Sequence, residues 1–137
     1  MKEKLLHKTN TGISAEFFVA GELVRRGYTV TLTFGNTKAI DLLIEKEGNL
    51  IPIQVKGMQR IDSICWNVNL VKLKNPSLIF VLVNLNADTL AQPEYFILTE
   101  PEVKKHFKPT KSGRDYLDYN YAKQSNFMDR WDKLEVI

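Results

Sequence analysis

Four polar residues stand where plain packing does not need them: Glu16, Asp41, Gln54 and Lys56. At about 100° per residue, Glu16 projects between Ala20 and Leu23, inside the stripe that Ile13, Phe17 and Val24 draw at helical spacing. Glu22 points to the opposite side, toward solvent. A carboxylate on a core-facing stripe must find a partner, because burying an unpaired charge is costly. For Glu16 alone, a rim residue with packed stem and wet head is the better reading. Asp41 interrupts an apolar run from Ala39 to Ile44, and Asp is a poor strand residue. Alternation sends Ile40, Leu42 and Ile44 to one face and Ala39, Asp41, Leu43 and Glu45 to the other. A strand-end aspartate capping the turn before it explains Asp41 equally well. Gln54 and Lys56 lie two apart and share a face, opposite Ile51, Ile53 and Val55. A solvent-facing amphipathic strand accounts for that pair without chemistry.

The segment between them changes the balance. Glu47-Gly48-Asn49 separates two strand-like runs, Ala39 to Lys46 and Leu50 to Lys56, which is a hairpin signature. A turn at Gly48-Asn49 puts position 41 across from 56, and a turn at Glu47-Gly48 puts it across from 54. Either register brings Asp41 within cross-strand reach of the Gln54/Lys56 pair. A carboxylate, an amide oxygen and an ammonium on one sheet face, with a second carboxylate from a helix, have a common use. Hard oxygen ligands hold Mg²⁺, and the ammonium handles an anion or an attacking water.

The elements that must position these residues follow from periodicity. The spacing predicts a first helix over residues 12–26, with Thr11 as N-cap, Gly27 after the last turn, and Arg25 and Arg26 at the negative end of the dipole. Tyr28 to Thr33 alternates and reads as a strand, and Gly35-Asn36 breaks it. A further strand is expected over Ser63 to Leu70. Leu78 to Leu85 is almost continuously apolar, as a strand covered on both faces must be. Tyr95 to Leu98 gives another strand. Thr99-Glu100-Pro101-Glu102 is a capping box that starts a short helix ending near Phe107, closed by Pro109. Residues 108–121 read as a polar, tyrosine-rich loop. Phe127, Trp131 and Leu134 recur at helical spacing and predict a final short helix packing back on the body. The expected fold class is α/β, a central mixed β-sheet flanked by helices, in a single domain over residues 1–137 with 108–137 as its C-terminal loop and helix.

Bulk properties bound the function. A chain of 137 residues fits one core, with no internal repeat. The lone cysteine, Cys65, forms no intramolecular disulfide and reads as a structural thiol in reducing cytosol. No apolar run approaches the roughly 20 residues of a membrane span, and the N-terminal residues carry no apolar stretch of signal-peptide length. A formal net charge of +3 permits a nucleic-acid partner without arguing for one. His7 and His106 have no partner spacing, and Asp62 reads as a loop carboxylate. Lys104, Lys105, Lys108 and Lys111, with Arg114, Lys123 and nearby tyrosines, are the candidate phosphate-backbone contacts, although a solvated surface over packed tyrosines is as good a reading. Phe18, away from the main stripe, hints at a helix-mediated homodimer.

Three segments in order, Gly12-Ile13-Ser14-Ala15-Glu16, Ala39-Ile40-Asp41-Leu42-Leu43-Ile44 and Ile53-Gln54-Val55-Lys56-Gly57, make the chain resemble the PD-(D/E)XK nuclease superfamily. The likeness is nearest to branches similar to Mrr-type restriction endonucleases and archaeal Holliday-junction resolvases. It implies a restriction-endonuclease-like fold and a Mg²⁺-dependent endodeoxyribonuclease, with Mn²⁺ as a substitute. Asp41 and Gln54 would then be metal ligands, Glu16 would complete the shell, and Lys56 would orient water and stabilise charge on the phosphate. Gln54 departs from the acid common in the superfamily. The alternative is therefore a catalytically silent nuclease-fold module that binds nucleic acid or a protein partner. A lower reading is a plain interaction domain whose four polar residues never meet. So short a chain leaves little room for target recognition, so specificity would come from a protein partner or from DNA shape.

Overall fold

The computed structural model describes residues 6–33, 40–60 and 64–135. In chain order its elements are α1 (Lys8–Arg25), β1 (Thr29–Leu32), β2 (Leu42–Lys46), β3 (Asn49–Met58), β4 (Cys65–Val68), β5 (Ile79–Asn84), β6 (Glu94–Thr99), α2 (Glu100–His106), β7 (Asp115–Asp118) and α3 (Tyr119–Gln124). Five strands form one mixed sheet in the order β1-β2-β3-β5-β6, antiparallel except for the β3–β5 pair. β4 and β7 form a second, two-stranded antiparallel sheet. The architecture is α/β, as the strand and helix order implies.

Turn chemistry decides the register. Glu47 and Gly48 both have positive φ, 53° and 84°, the pair of left-handed residues that a type I′ hairpin turn demands. Lys46 therefore faces Asn49 and Leu42 faces Ile53. Continued one step, that register sets position 41 across from Gln54.

Each face of the sheet has its own core. On one, Ala15, Val19 and Leu23 of α1 pack with Leu42, Ile44, Ile53, Val55, Val81 and Ile97. On the other, Phe80, Leu82, Phe96 and Leu98 meet Trp66, Val103, Leu117 and Phe127. β5 is buried along its whole length, which its continuous apolar run anticipates. The capping box closes as expected: the Thr99 side chain accepts from Glu102 N–H, and Glu102 Oε1 accepts from Thr99 N–H at 3.0 Å.

Four expectations are corrected. α1 begins at Lys8, and its cap is His7, whose Nδ1 accepts from Thr9 N–H at 3.2 Å; Thr11 lies buried within the helix. Its core-facing row is Thr11, Ala15, Val19 and Leu23, whereas Ile13, Phe17 and Val24 face solvent. The reason is space. A Cβ placed on Gly57 of β3 would lie 2.7 Å from Ala15 Cβ and 3.3 Å from Thr11 O, so at position 15 the helix rides too close to β3 for a side chain bulkier than alanine. The stretch 108–121 is no simple loop either, since it holds β7 and the start of α3. Its strand forms because β4 lies alongside and because buried Asp115 accepts from Thr110 N–H at 2.7 Å and Leu70 N–H at 2.8 Å. Phe127, Trp131 and Leu134 are buried as expected, but the last turn, Trp131–Leu134, is 3₁₀ rather than α. The Gly35-Asn36 break, Ala39, Asp62 and Ser63 lie outside the described residues.

Candidate active site

Asp41 sits where β2 leaves β3, and three hydrogen bonds hold it there. Its backbone N–H donates to Ile53 O at 2.8 Å, and its carbonyl accepts from Thr33 N–H at 3.0 Å. Its Oδ2 accepts from Val55 N–H at 2.8 Å. The carboxylate thus takes a strand donor that the departing chain no longer pairs. Ile53 and Val55 flank Gln54, so Asp41 is clasped to the backbone on both sides of that residue.

Glu16 comes from α1, one position past Ala15, the residue packed tightest on Gly57. Its carboxyl meets that of Asp41. Burial, the Asp41 charge and a hydrogen bond to Asp41 push Glu16 from its ordinary 4.5 up to about 7. Two carboxyls in contact cannot both ionise cheaply. With no cation beside it, Glu16 therefore holds its proton up to about 7.

Gln54 and Lys56 are half-buried and stand in register with Phe80 and Leu82 of β5, so they share the sheet face opposite Ile53 and Val55. Neither side chain hydrogen-bonds to another group among the described residues. The structure therefore joins Glu16 to Asp41 directly, and sets Gln54 and Lys56 on the strand that clasps Asp41. Two carboxylates and an amide oxygen form a hard-oxygen donor set of the kind Mg²⁺ takes. Among the described residues, no group of three or more His, Cys, Asp or Glu gathers.

Gly57, which lets α1 approach β3 closely, is a packing residue that the side-chain patterns passed over. Its signal was a glycine inside a strand, which marks close approach of another backbone.

The other candidates are engaged in other contacts or lie exposed. His7 caps α1, and His106 Nδ1 lies 2.7 Å from Tyr121 OH with its ring edge-on to Phe127. Burial pushes the half-buried Cys65 thiol up, the opposite of what a nucleophile needs. Glu22 is paired rather than merely solvated. It accepts from Arg25 at 2.5 Å and Arg26 at 2.9 Å, and the bond from Arg25 is the main cause holding its carboxyl below the ordinary value. Lys104 pairs with Glu100 at 3.2 Å on α2, while Lys105, Lys108 and Lys111 are exposed. Of the nearby tyrosines, Tyr119 is buried and donates to Glu94 at 2.6 Å. Among the described residues, no helix is long and apolar enough to cross a membrane.

Comparisons with known proteins bear on the family and the fold. The family model described as PD-(D/E)XK endonuclease matches residues 6–84, a span that holds all four polar residues. A solved structure of a bacterial homing endonuclease, I-Ssp6803I, superposes with a TM-score of 0.66 at 11% identity, covering 94% of this chain and 93% of that one. At that identity the likeness is one of fold. No curated protein matches the chain. With more than half of its length matched by the family model, the chain belongs to the PD-(D/E)XK endonuclease family.

Proposed function

We propose that the protein is a Mg²⁺-dependent endonuclease that hydrolyses phosphodiester bonds in DNA at the Glu16/Asp41/Gln54/Lys56 cleft, with Mn²⁺ able to substitute. The observation that carries this reading is the Glu16–Asp41 carboxyl contact, clasped onto the strand that bears Gln54 and Lys56. A structural carboxylate pair gains nothing from mutual repulsion, whereas a cation between them relieves it. Glu16, Asp41 and the Gln54 amide oxygen would hold the ion. A divalent cation bound there supplies positive charge that offsets the phosphate and the charge developing on its oxygens. Asp41, fixed by three hydrogen bonds, sets the position of the anionic wall without reorganisation during reaction. Lys56 presents an ammonium two residues along from Gln54, placed to orient the attacking water and to stabilise charge on phosphorus-bound oxygens. Lys104, Lys105, Lys108 and Lys111 follow the phosphate backbone away from the cut. α2 and the Lys56 side chain lie on the same side of the sheet, which supports this reading.

Gln54 favours a second reading, because a neutral amide leaves the metal site one negative charge short of a carboxylate triad. In that reading the module is catalytically silent and binds nucleic acid or a protein partner. A cleavage assay on linear, branched and single-stranded DNA separates the two. The enzyme reading expects cleavage with Mg²⁺ or Mn²⁺ that chelator abolishes, and a loss on the order of 100-fold or more in Lys56→Ala. Absence of metal-dependent cleavage on all three substrates establishes the silent module, and activity that survives Lys56→Ala removes Lys56 from the mechanism.

A further inference from the structure

The two-stranded ribbon of β4 and β7 has one face spent on packing and one left open. Trp66, Val68, Asp115 and Leu117 point inward. Trp66 and Leu117 enter the same core as Phe80 and Leu82, and Trp66 Nε1 donates to Val83 O at 3.0 Å. The ribbon therefore stands on the side of the main sheet to which Gln54 and Lys56, in register with Phe80 and Leu82, belong. Its outer face sets Asn67 opposite Tyr116, and Tyr116 pairs on its other side with Lys108, so the three form one row. Arg114 joins the row, its Nη2 3.4 Å from Asn67 Oδ1. Asparagine is a poor strand residue, and here its amide secures little. Its contacts with Arg114 O, Asp115 O and Arg114 Nη2 all lie at 3.4 Å, beyond the usual hydrogen-bond range. The backbone beneath is held firmly by contrast. Buried Asp115 accepts from Leu70 N–H at 2.8 Å and from Thr110 N–H at 2.7 Å, which ties the chain after β4 and after Lys108 to β7. Asp118, the carboxylate on the outer face, is committed to capping α3, where it accepts from Asn120 and Tyr121 N–H. Among the described residues, no carboxylate pairs with Arg114 or Lys108.

Given the DNA endonuclease reading above, on which this rests, we infer that the outer face of the ribbon enters the major groove and reads base edges. Asn67 and Arg114 meet the bases, and Lys108 takes a phosphate. The groove, about 12 Å wide, admits a two-stranded ribbon, whose strands lie about 4.8 Å apart. An asparagine amide offers one donor and one acceptor, the match to adenine N6 and N7, and an arginine fork matches guanine O6 and N7. Because the two side chains touch each other, the bases they reach are neighbours, about 3.4 Å apart along the strand. Contacts at 3.4 Å within the protein are exchanged for closer ones to DNA, so little is lost on binding. The Asp115 hydrogen bonds hold the backbone of the row before DNA arrives, which cuts the ordering cost. The charge suits the same occupant, since the two free cations of this face meet the phosphate-lined groove while its carboxylate stays turned to α3.

Selection of bound sequences from a randomised duplex pool tests this, with the intact protein in chelator at one fixed salt concentration, so that binding is read without cleavage. The wild type is expected to enrich sites that hold an adenine next to a guanine. Asn67→Ala and Arg114→Ala, both outside the core and checked for folding by circular dichroism, are each expected to relax the preference at one position. Each should cut the ratio of selected-site to unselected affinity about tenfold or more. Lys108→Ala is expected to weaken both affinities alike and to lower the salt slope by about 1. Enrichment of no sequence overturns the inference, as does failure to retain duplex at all. A preference that survives either Asn67→Ala or Arg114→Ala overturns it too. Metal-dependent cleavage assayed in parallel keeps the two readings apart. Cleavage without sequence preference removes the ribbon's role alone, whereas selective binding with no cleavage removes the enzyme reading and leaves the ribbon as the reader.

Discussion

Asp41 and Glu16 show how far single residues were readable. The sequence placed Asp41 beside Gln54 through the hairpin, and the type I′ turn at Glu47-Gly48 fulfils one of the two registers considered. Glu16 was singled out for a carboxylate on a core-facing stripe, but that stripe faces solvent, and Glu16 reaches Asp41 from the flank of the row that is buried. A carboxylate that abuts another is informative whichever neighbours surround it, which is why the candidate survived a wrong helix phase. The contact has a pH signature. The folded chain binds the Glu16 proton more tightly than the unfolded chain, so its contribution is fully present below about 4.5 and lost as pH rises through about 7. The metal-free protein should therefore lose thermal stability across that window. Glu16→Gln should flatten the loss, and melting curves taken in chelator from pH 4.5 to 8 read it. At Gln54, Gln54→Glu adds an anionic oxygen of similar reach and should tighten Mg²⁺ binding roughly tenfold. It should also lower metal-free stability, since a third carboxylate joins the first two. Calorimetric titration that shows no tightening would mean that position 54 is not a ligand.

At the scale of elements, local chemistry was legible and long-range choices were not. The hairpin, the buried β5 and the Thr99 capping box each rest on residues adjacent in sequence, and each forms as expected. β7 was missed because Asp115–Asp118 is polar on its own and becomes a strand only against β4, about 50 residues earlier in the chain. The phase of α1 was missed because the helix carries two apolar rows, and only the contact with Gly57 decides which meets the sheet. That contact also sets the separation of α1 from β3, and with it the reach of Glu16 to Asp41. Gly57→Ala should force the helix outward, costing about 1–3 kcal/mol of stability by overpacking and weakening metal binding. Adding Ala15→Gly removes the clashing methyl and should restore much of the metal affinity, even though a helix-interior glycine costs about 1 kcal/mol by itself. Urea denaturation and metal titration of the single and double variants separate the two effects. If the double variant binds metal no better than Gly57→Ala, the close approach does not position Glu16.

For the whole molecule, the mixed sheet is the device that holds the strand-end carboxylate of Asp41 against the strand bearing Gln54 and Lys56, with the Glu16 carboxyl reaching it from α1. Its α/β class and mixed character were expected from the succession of strands and helices, and the fold of the homing endonuclease agrees with that class. The near-balanced charge of +3 means that any DNA affinity has to come from local clusters. Neutralising Lys104, Lys105, Lys108 and Lys111 together should flatten the slope of log affinity against log salt by up to about 3–4, because fewer counterions are released. An unchanged slope would return these lysines to ordinary surface. The account rests above all on the four residues acting as one metal site. A calorimetric titration with Mn²⁺ on the intact wild type and on Asp41→Ala tests that claim most directly. The account predicts one weak site in the wild type, with a dissociation constant of roughly 10⁻⁴ to 10⁻³ M, and no binding in a folded Asp41→Ala. Equal binding by the two proteins would contradict it and put the metal elsewhere.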